Sequence, residues 1–292
     1  MRHLLDFQDV DKRHLEKLIE VTKTSEAKAE NLDSLAILKF DEPSTRTRLS
    51  FAIAAEKLGI KIFESSDSIS ANQKGEMLKH EIETYVSMGI EILVLRTKEN
   101  NIDDYRVLED VGVISGGFGD ISHPTQALID ISTLDSFDKL KGTSVPITYI
   151  GDVKHSRVFE SGRQLLSLLG YKVGVFTNQN LLPEDKSNVE IYESWDEVFE
   201  NTNAIELLRV QKERIQENEK IDFEDYIKNY QLTNKVLKKS QDDLIVLHPM
   251  PINVGIEISE DAIKDRKIKY LNQLSYAIPS RIAAFKYVKG EL

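Results

Sequence analysis

The chain predicts an α/β protein of two doubly wound domains, each a mostly parallel sheet flanked by helices, with an active site in the cleft between them. Three observations predict it. Apolar runs of strand length alternate with segments whose apolar residues recur at helical spacing. Polar residues collect after the strands, where an open parallel sheet places its site. The alternation pauses over residues 135–142 and then starts afresh, dividing the 292 residues into an expected first domain, 1–133, and a second, 134–278. The last helix, 279–292, is expected to pack back on the first domain.

In order, residues 7–30 predict an amphipathic helix with Val10, Leu15, Leu18, Ile19 and Val21 on one stripe. Leu35-Ala36-Ile37-Leu38-Lys39-Phe40 is a buried strand. A helix follows in which Leu49, Ala52, Ile53 and residues 55–58 recur at helical spacing, and Gly59 ends it. Lys61-Ile62-Phe63 is a second strand, and residues 65–75 are a long polar loop of the kind that is often functional. A helix through Leu78, Ile82, Tyr85 and Met88 leads to strand 90–95, ending at Arg96. Strand 111–114 runs into Ser115-Gly116-Gly117-Phe118-Gly119, and His123-Pro124-Thr125-Gln126 opens a helix through Ile131. After the pause come strand 145–150, the turn Gly151-Asp152, a helix over 156–170 and strand 172–176. Strand 204–208 ends at Arg209, a charged and partly helical surface segment covers 212–239, and strand 244–247 ends at His248.

Composition narrows the chemistry. There are 38 basic residues against 49 acidic ones, a net charge of −11, which argues against broad nucleic-acid binding. No apolar run approaches the ~20 residues of a membrane span, and Met1-Arg2-His3-Leu4-Leu5-Asp6 is not a secretory signal, so a cytoplasmic location is expected. Cysteine is absent, which removes disulfides and a thiolate nucleophile. The six histidines show no metal-ligand spacing, and neither a dinucleotide fingerprint, a Walker loop nor a nucleophile elbow is present; no metal and no cofactor are expected.

What remains is positioning and electrostatics. In Phe40-Asp41-Glu42-Pro43-Ser44-Thr45-Arg46-Thr47-Arg48 a strand runs into a helix. The unpaired N–H groups of the first turn attract an anion, the hydroxyls add donors, and the Arg46 fork suits phosphate. A Ser/Thr cap followed by two solvated arginines is the other reading of this segment taken alone. Arg46, Arg96, Arg157 and Arg209 all fall at or just after the carboxyl ends of strands. Singly each would be an ordinary surface cation. Together, in so acidic a chain, they point to a substrate with several negative charges. His123 is either structural or a donor to a carbonyl oxygen gaining charge.

These motifs together resemble the aspartate/ornithine carbamoyltransferase family over essentially the whole chain. The first-loop sequence just quoted resembles its carbamoyl-phosphate loop, and His123-Pro124-Thr125-Gln126-Ala127-Leu128 its second signature. Gly151-Asp152 with His155-Ser156-Arg157, then Leu208-Arg209-Val210-Gln211-Lys212-Glu213-Arg214, then His248-Pro249-Met250-Pro251 follow in the family's order. Thr45 and Thr125, the Met250-containing motif and the lack of cysteine resemble the aspartate-specific branch rather than the ornithine-specific one. The resemblance implies transfer of the carbamoyl group of carbamoyl phosphate to the amine of L-aspartate, giving N-carbamoyl-L-aspartate and phosphate, in pyrimidine biosynthesis. It implies that Ser44, Thr45, Arg46 and Thr47 hold the phosphate, and that Arg96, His123 and Thr47 polarise the carbonyl. Gln126 and the backbone carbonyls around Pro249 and Met250 would receive the carbamoyl amide. Arg157, Arg209 and Gln211 would bind aspartate, with Glu213 orienting Arg209. Ser70 and Lys74 would reach a neighbouring subunit's site, implying a homotrimer, to which regulatory chains could add. The alternatives are a carbamoyltransferase for another amino acid and a non-catalytic binding or scaffold paralogue.

The chain also departs from the family. Phe118 stands where an acid is usual, Thr97 where His is common, Val254 where an arginine is common, and residues 273–277 lack the usual Asn-Gly.

Overall fold

The computed structural model describes residues 2–8, 10–24, 31–65, 78–210 and 222–292. They form two compact units: Met1–Ser132 with Ser275–Leu292, and Thr133–Leu274.

The first unit holds α1 (Lys12–Thr24), β1 (Leu35–Phe40), α2 (Thr45–Lys57), β2 (Lys61–Ser65), α3 (Leu78–Ser87), β3 (Ile92–Thr97), α4 (Asp103–Arg106) and β4 (Gly112–Phe118). Its four strands are parallel in the order β2-β1-β3-β4. Strand order reverses between β1 and β3, so the crevice at their carboxyl ends is the expected binding place. The inner strands β1 and β3 are largely apolar and buried on both faces, as parallel strands must be. Edge strand β2 is largely exposed.

Helix α5 (Pro124–Ser136) carries the chain into the second unit, which contains β5 (Thr148–Ile150), α6 (Arg157–Leu168), β6 (Val173–Phe176), β7 (Val189–Ile191), α7 (Trp195–Asn201), β8 (Ala204–Leu207), α8 (Phe223–Tyr230), α9 (Asn234–Leu237) and β9 (Ile245–Leu247). Its five parallel strands lie in the order β7-β6-β5-β8-β9 and reverse between β5 and β8. Helix α10 (Tyr270–Ser275) then leads to α11 (Ala277–Lys289). α11 packs on α1, α2 and β4 within the first unit, with Phe285 edge-on to Phe51 at 5.6 Å. Gly290 closes it in the left-handed conformation that glycine adopts without a Cβ clash.

Several local expectations shift. The first helix spans 12–24 rather than 7–30; residues 4–8 are non-helical, and Leu4 bridges Ile114, while 25–30 lie outside the described residues. Its buried stripe is Leu15, Leu18 and Thr22, the Thr22 hydroxyl donating to the Leu18 carbonyl at 2.7 Å. Leu49 faces solvent, because its position on α2 falls opposite the face of Phe51, Ala54 and Ala55. Strand 145–150 narrows to three laddered residues. β7 and α7 are additional: β7 is a short edge strand whose Val-Glu-Ile carries too little pattern to read. The long loop expected after residue 65 falls outside the described residues.

Phe118 is fully buried among Leu5, Ile37, Leu95 and Val113, edge-on to Tyr105 at 5.5 Å. The family's acid has no place in that apolar shell. Phe118→Asp should therefore cost at least about 3 kcal/mol, combining a lost aromatic core residue with a buried carboxyl. Chemical denaturation checks this; wild-type stability would contradict it.

Candidate active site

At the carboxyl end of β1 the chain turns through Asp41–Pro43 into α2, whose N-cap is Ser44. Ser44 has extended backbone and its hydroxyl makes no capping bond, so the first-turn N–H groups keep their capacity for an outside anion. Thr47 is buried while Arg46 is half-buried, and burial lowers the Arg46 guanidinium pKa from its usual value. A bound anion would offset that desolvation. Arg48, its neighbour but one, is spent elsewhere: it pairs with Glu64 at 2.9 Å and lies over the Phe40 ring. The two arginines of the motif thus separate, one toward the helix start and one onto a solvated face.

Arg96 is paired in register with Phe40, at the opposite side of the strand-order reversal. A register irregularity between Leu95 and Thr97 re-aims the strand there. Its guanidinium is fixed from two directions, by Nη1 donating to the Gly116 carbonyl at 2.9 Å and by Nε lying 3.5 Å from Glu42. Glu42 was not foreseen. The available signal was an acid inside an otherwise cationic loop.

His123 precedes α5, whose first residue is Pro124, the position where a missing N–H costs nothing. His123 is buried, with Nδ1 3.5 Å from the Thr125 hydroxyl. Gln126 donates Nε2 to Asp130 one turn on at 2.8 Å. Arg281 of α11 is buried, bonds Ser280 at 2.7 Å and reaches the Thr125 carbonyl at 3.5 Å; burial lowers its pKa to about 9, with Asp130 opposing the shift.

In the second unit, the turn after β5 reaches Arg157 at the first position of α6, beyond a Ser156 cap that accepts from the Phe159 N–H at 3.2 Å. Gly151 sits at φ +130, and a Cβ there would come within 2.1 Å of the Leu208 carbonyl, so only glycine lets this turn lie against the end of β8. Asp152, fully buried, accepts from the His155 backbone and holds its ring at 2.9 Å. Arg209 follows β8 by two residues. The next residue, Val210, donates its N–H to Glu257 at 2.9 Å, and Glu257 also accepts from Asn253 through backbone and side chain.

Pro249 and Met250 follow β9. Met250 has φ +62, unusual for a side-chain-bearing residue, and its N–H donates to His248 Nδ1 at 2.8 Å. The His248 N–H in turn donates to Gln273, which donates to buried Glu206. Within each unit, then, Arg46 and Arg96, and Arg157 and Arg209, lie at or beyond the carboxyl ends of the two strands flanking the reversal of strand order, while His123 and Gln126 follow β4 and Pro249 and Met250 follow β9. Ser70, Lys74, Gln211 and Glu213 lie outside the described residues. Sequence reasoning missed Glu42 and Asp130, which face Arg96 and Gln126, and Glu206 and Glu257, which hold Gln273, Val210 and Asn253 beside the strand ends.

Comparison with known proteins agrees with this geometry. Residues 2–136 match the family described as aspartate/ornithine carbamoyltransferase, carbamoyl-P binding domain, and residues 143–288 match its Asp/Orn binding domain. The aspartate carbamoyltransferase catalytic subunit of Thermus thermophilus is 34% identical over 299 residues, covering 99% of this chain and 98% of that one. The catalytic subunit of M. jannaschii aspartate transcarbamoylase aligns with TM-score 0.80 at 28% identity, covering 100% of this chain and 99% of that one. The ornithine carbamoyltransferase of Pyrococcus furiosus reaches TM-score 0.84 at 22% identity over 100% and 98%, a likeness of fold alone. The chain belongs to the aspartate/ornithine carbamoyltransferase family.

Burial raises the Glu257 carboxyl above its usual value of 4.5, the hydrogen bonds it accepts opposing it only in part. The folded state therefore binds that proton more tightly than the unfolded chain. Stability from this group is fully present below the unfolded pKa and is lost as pH rises through the folded one. Wild-type stability relative to Glu257→Gln should accordingly be greatest at low pH and decline upward. Paired denaturation curves from about pH 4 to about pH 8 check it, and a pH-independent difference contradicts it.

Proposed function

We propose that this protein transfers the carbamoyl group of carbamoyl phosphate to the amine of L-aspartate, forming N-carbamoyl-L-aspartate and phosphate, and so serves pyrimidine biosynthesis. The observation that carries the reading is the uncapped start of α2 with half-buried Arg46, across the strand-order reversal from an Arg96 pinned by Glu42 and Gly116. That arrangement suits a phosphate with an adjoining carbonyl. The first unit, about residues 1–133 with 279–292, then serves as the carbamoyl-phosphate domain, and 134–278 as the aspartate domain.

Ser44, Thr45, Arg46 and Thr47 bind the phosphate. Arg96 bridges phosphate and carbonyl oxygen, and His123 and Thr47 add polarisation at that oxygen. Gln126 and the carbonyls of Pro249 and Met250 accept from the carbamoyl NH2. Arg157, Arg209 and Gln211 take the two carboxylates of aspartate, which an ornithine side chain could not satisfy. The aspartate amine attacks the carbonyl carbon, the tetrahedral oxyanion is met by cationic and hydrogen-bond donors, and the C–O bond to phosphate breaks. The leaving phosphate takes the amine's proton, so no protein nucleophile is required. Most of the rate arises from holding two anions together and from preorganised charge. Ser70 and Lys74 complete the site of a neighbouring copy in a homotrimer, to which regulatory chains could attach. Among the described residues no helix is long and apolar enough to cross a membrane, which accords with a cytoplasmic enzyme.

Arg46→Ala should lower carbamoyl-aspartate formation by roughly 10²–10³-fold while leaving the protein folded. A colorimetric assay of product, with circular dichroism as the folding control, measures both. Activity within a few-fold of wild type would remove Arg46 from the site.

A further inference from the structure

An amide side chain looks nearly the same either way round, but the partner of Gln126 decides its orientation. Ionised Asp130 offers only acceptors, so the Gln126 NH2 must face it, as the 2.8 Å bond requires. Gln126 and Asp130 stand one turn apart on α5 and are both buried. The same region of α5 is met by Arg281 of α11, which is 3% exposed, donates to the Ser280 hydroxyl, reaches the Thr125 carbonyl at 3.5 Å and lies over the Phe51 ring. Arg281 is an unchanging donor on a different helix. Through the Thr125 carbonyl it ties α11 to the start of α5.

The consequence concerns the other end of the amide. With Nε2 committed to Asp130, only Oε1 remains, and the described residues supply it no donor. An oxygen in that role welcomes an N–H and gains nothing from a methyl group.

We propose that Asp130 is a positioning residue that locks Gln126 with its oxygen toward the substrate, so that the site selects a carbamoyl phosphate over an acyl phosphate of the same shape. This rests on the proposed function above, in which Gln126 meets the carbamoyl NH2. In Asp130→Asn the acceptor-only carboxylate becomes an amide that can turn its NH2 toward Gln126. Gln126 then presents its own NH2 outward, donor against donor.

The test is the ratio of dissociation constants for carbamoyl phosphate and acetyl phosphate, measured by calorimetry on the purified full chain. Wild type should favour carbamoyl phosphate. Asp130→Asn should weaken carbamoyl phosphate by about tenfold and leave acetyl phosphate within about twofold. Gln126→Leu should lose the same selectivity, and adding Asp130→Asn to it should change the ratio no further. Should Asp130→Asn fail to fold, the uncharged pair Asp130→Leu with Arg281→Met removes the lock without stranding a buried charge, and should lower the ratio likewise. Equal weakening of both ligands, or a ratio unchanged when Gln126→Leu lowers it, overturns the positioning role and leaves the carbamoyltransferase reading standing. A wild type that binds neither phosphate overturns both.

Discussion

The constraint on which the first unit depends is the concentration of positive charge at the ends of β1 and β3 in a chain of net charge −11. Cations placed together there repel, and partial burial removes the water that would screen them. The chain answers with carboxylates placed behind the cations. Glu42 lies 3.5 Å from Arg96, leaving its other edge to the Gly116 carbonyl. One step back along β1, Lys39 is buried 3.3 Å from Glu81 and 3.9 Å from Asp41, and Tyr85 donates to Glu81 at 2.6 Å. Such buried pairs add little net stability over an apolar core, yet they fix geometry, because leaving either partner alone is costly. The cations are thereby held in place by the fold itself.

The second unit solves a related problem with polar networks. Glu257 gathers the N–H after Arg209 and the Asn253 amide into one buried carboxylate, and Gln273 links Glu206 to the His248 backbone. Each network joins the end of a strand to a loop that follows another strand. In both units the strand order reverses once, between β1 and β3 and between β5 and β8, which gives two parallel sheets of different size the same logic.

Much of this was legible in the chain. Strand-length apolar runs such as 35–40 and 90–95 point to buried parallel strands, found at 35–40 and 92–97, and the proposed phosphate loop is set out in consecutive residues. Elements without strong periodicity were not legible. The three-residue β7 carries no pattern, and the tenancy of Leu49 on the wrong helix face needs the tertiary packing of α11 on α2 to reveal it. The supporting carboxylates were hidden for another reason. Glu206 and Glu257 are fully buried, whereas an acid in sequence is expected at the surface, and their partners lie 67 and 47 residues away. Asp130 is the exception, since a Gln and an Asp four apart on a helix already face one another. The departure at Phe118 resolves as core packing; nothing in the structure explains Val254, which is exposed.

The central claim is that a phosphate loop and an arginine-rich aspartate site are built for one transfer reaction. Carbon-13 NMR of labelled carbamoyl phosphate, offered equal L-aspartate and L-ornithine with the purified protein, tests it most directly. The account predicts a growing carbamoyl-aspartate signal and none from citrulline. Citrulline as the main product, or labelled carbamoyl phosphate that only decomposes at its uncatalysed rate, would contradict it.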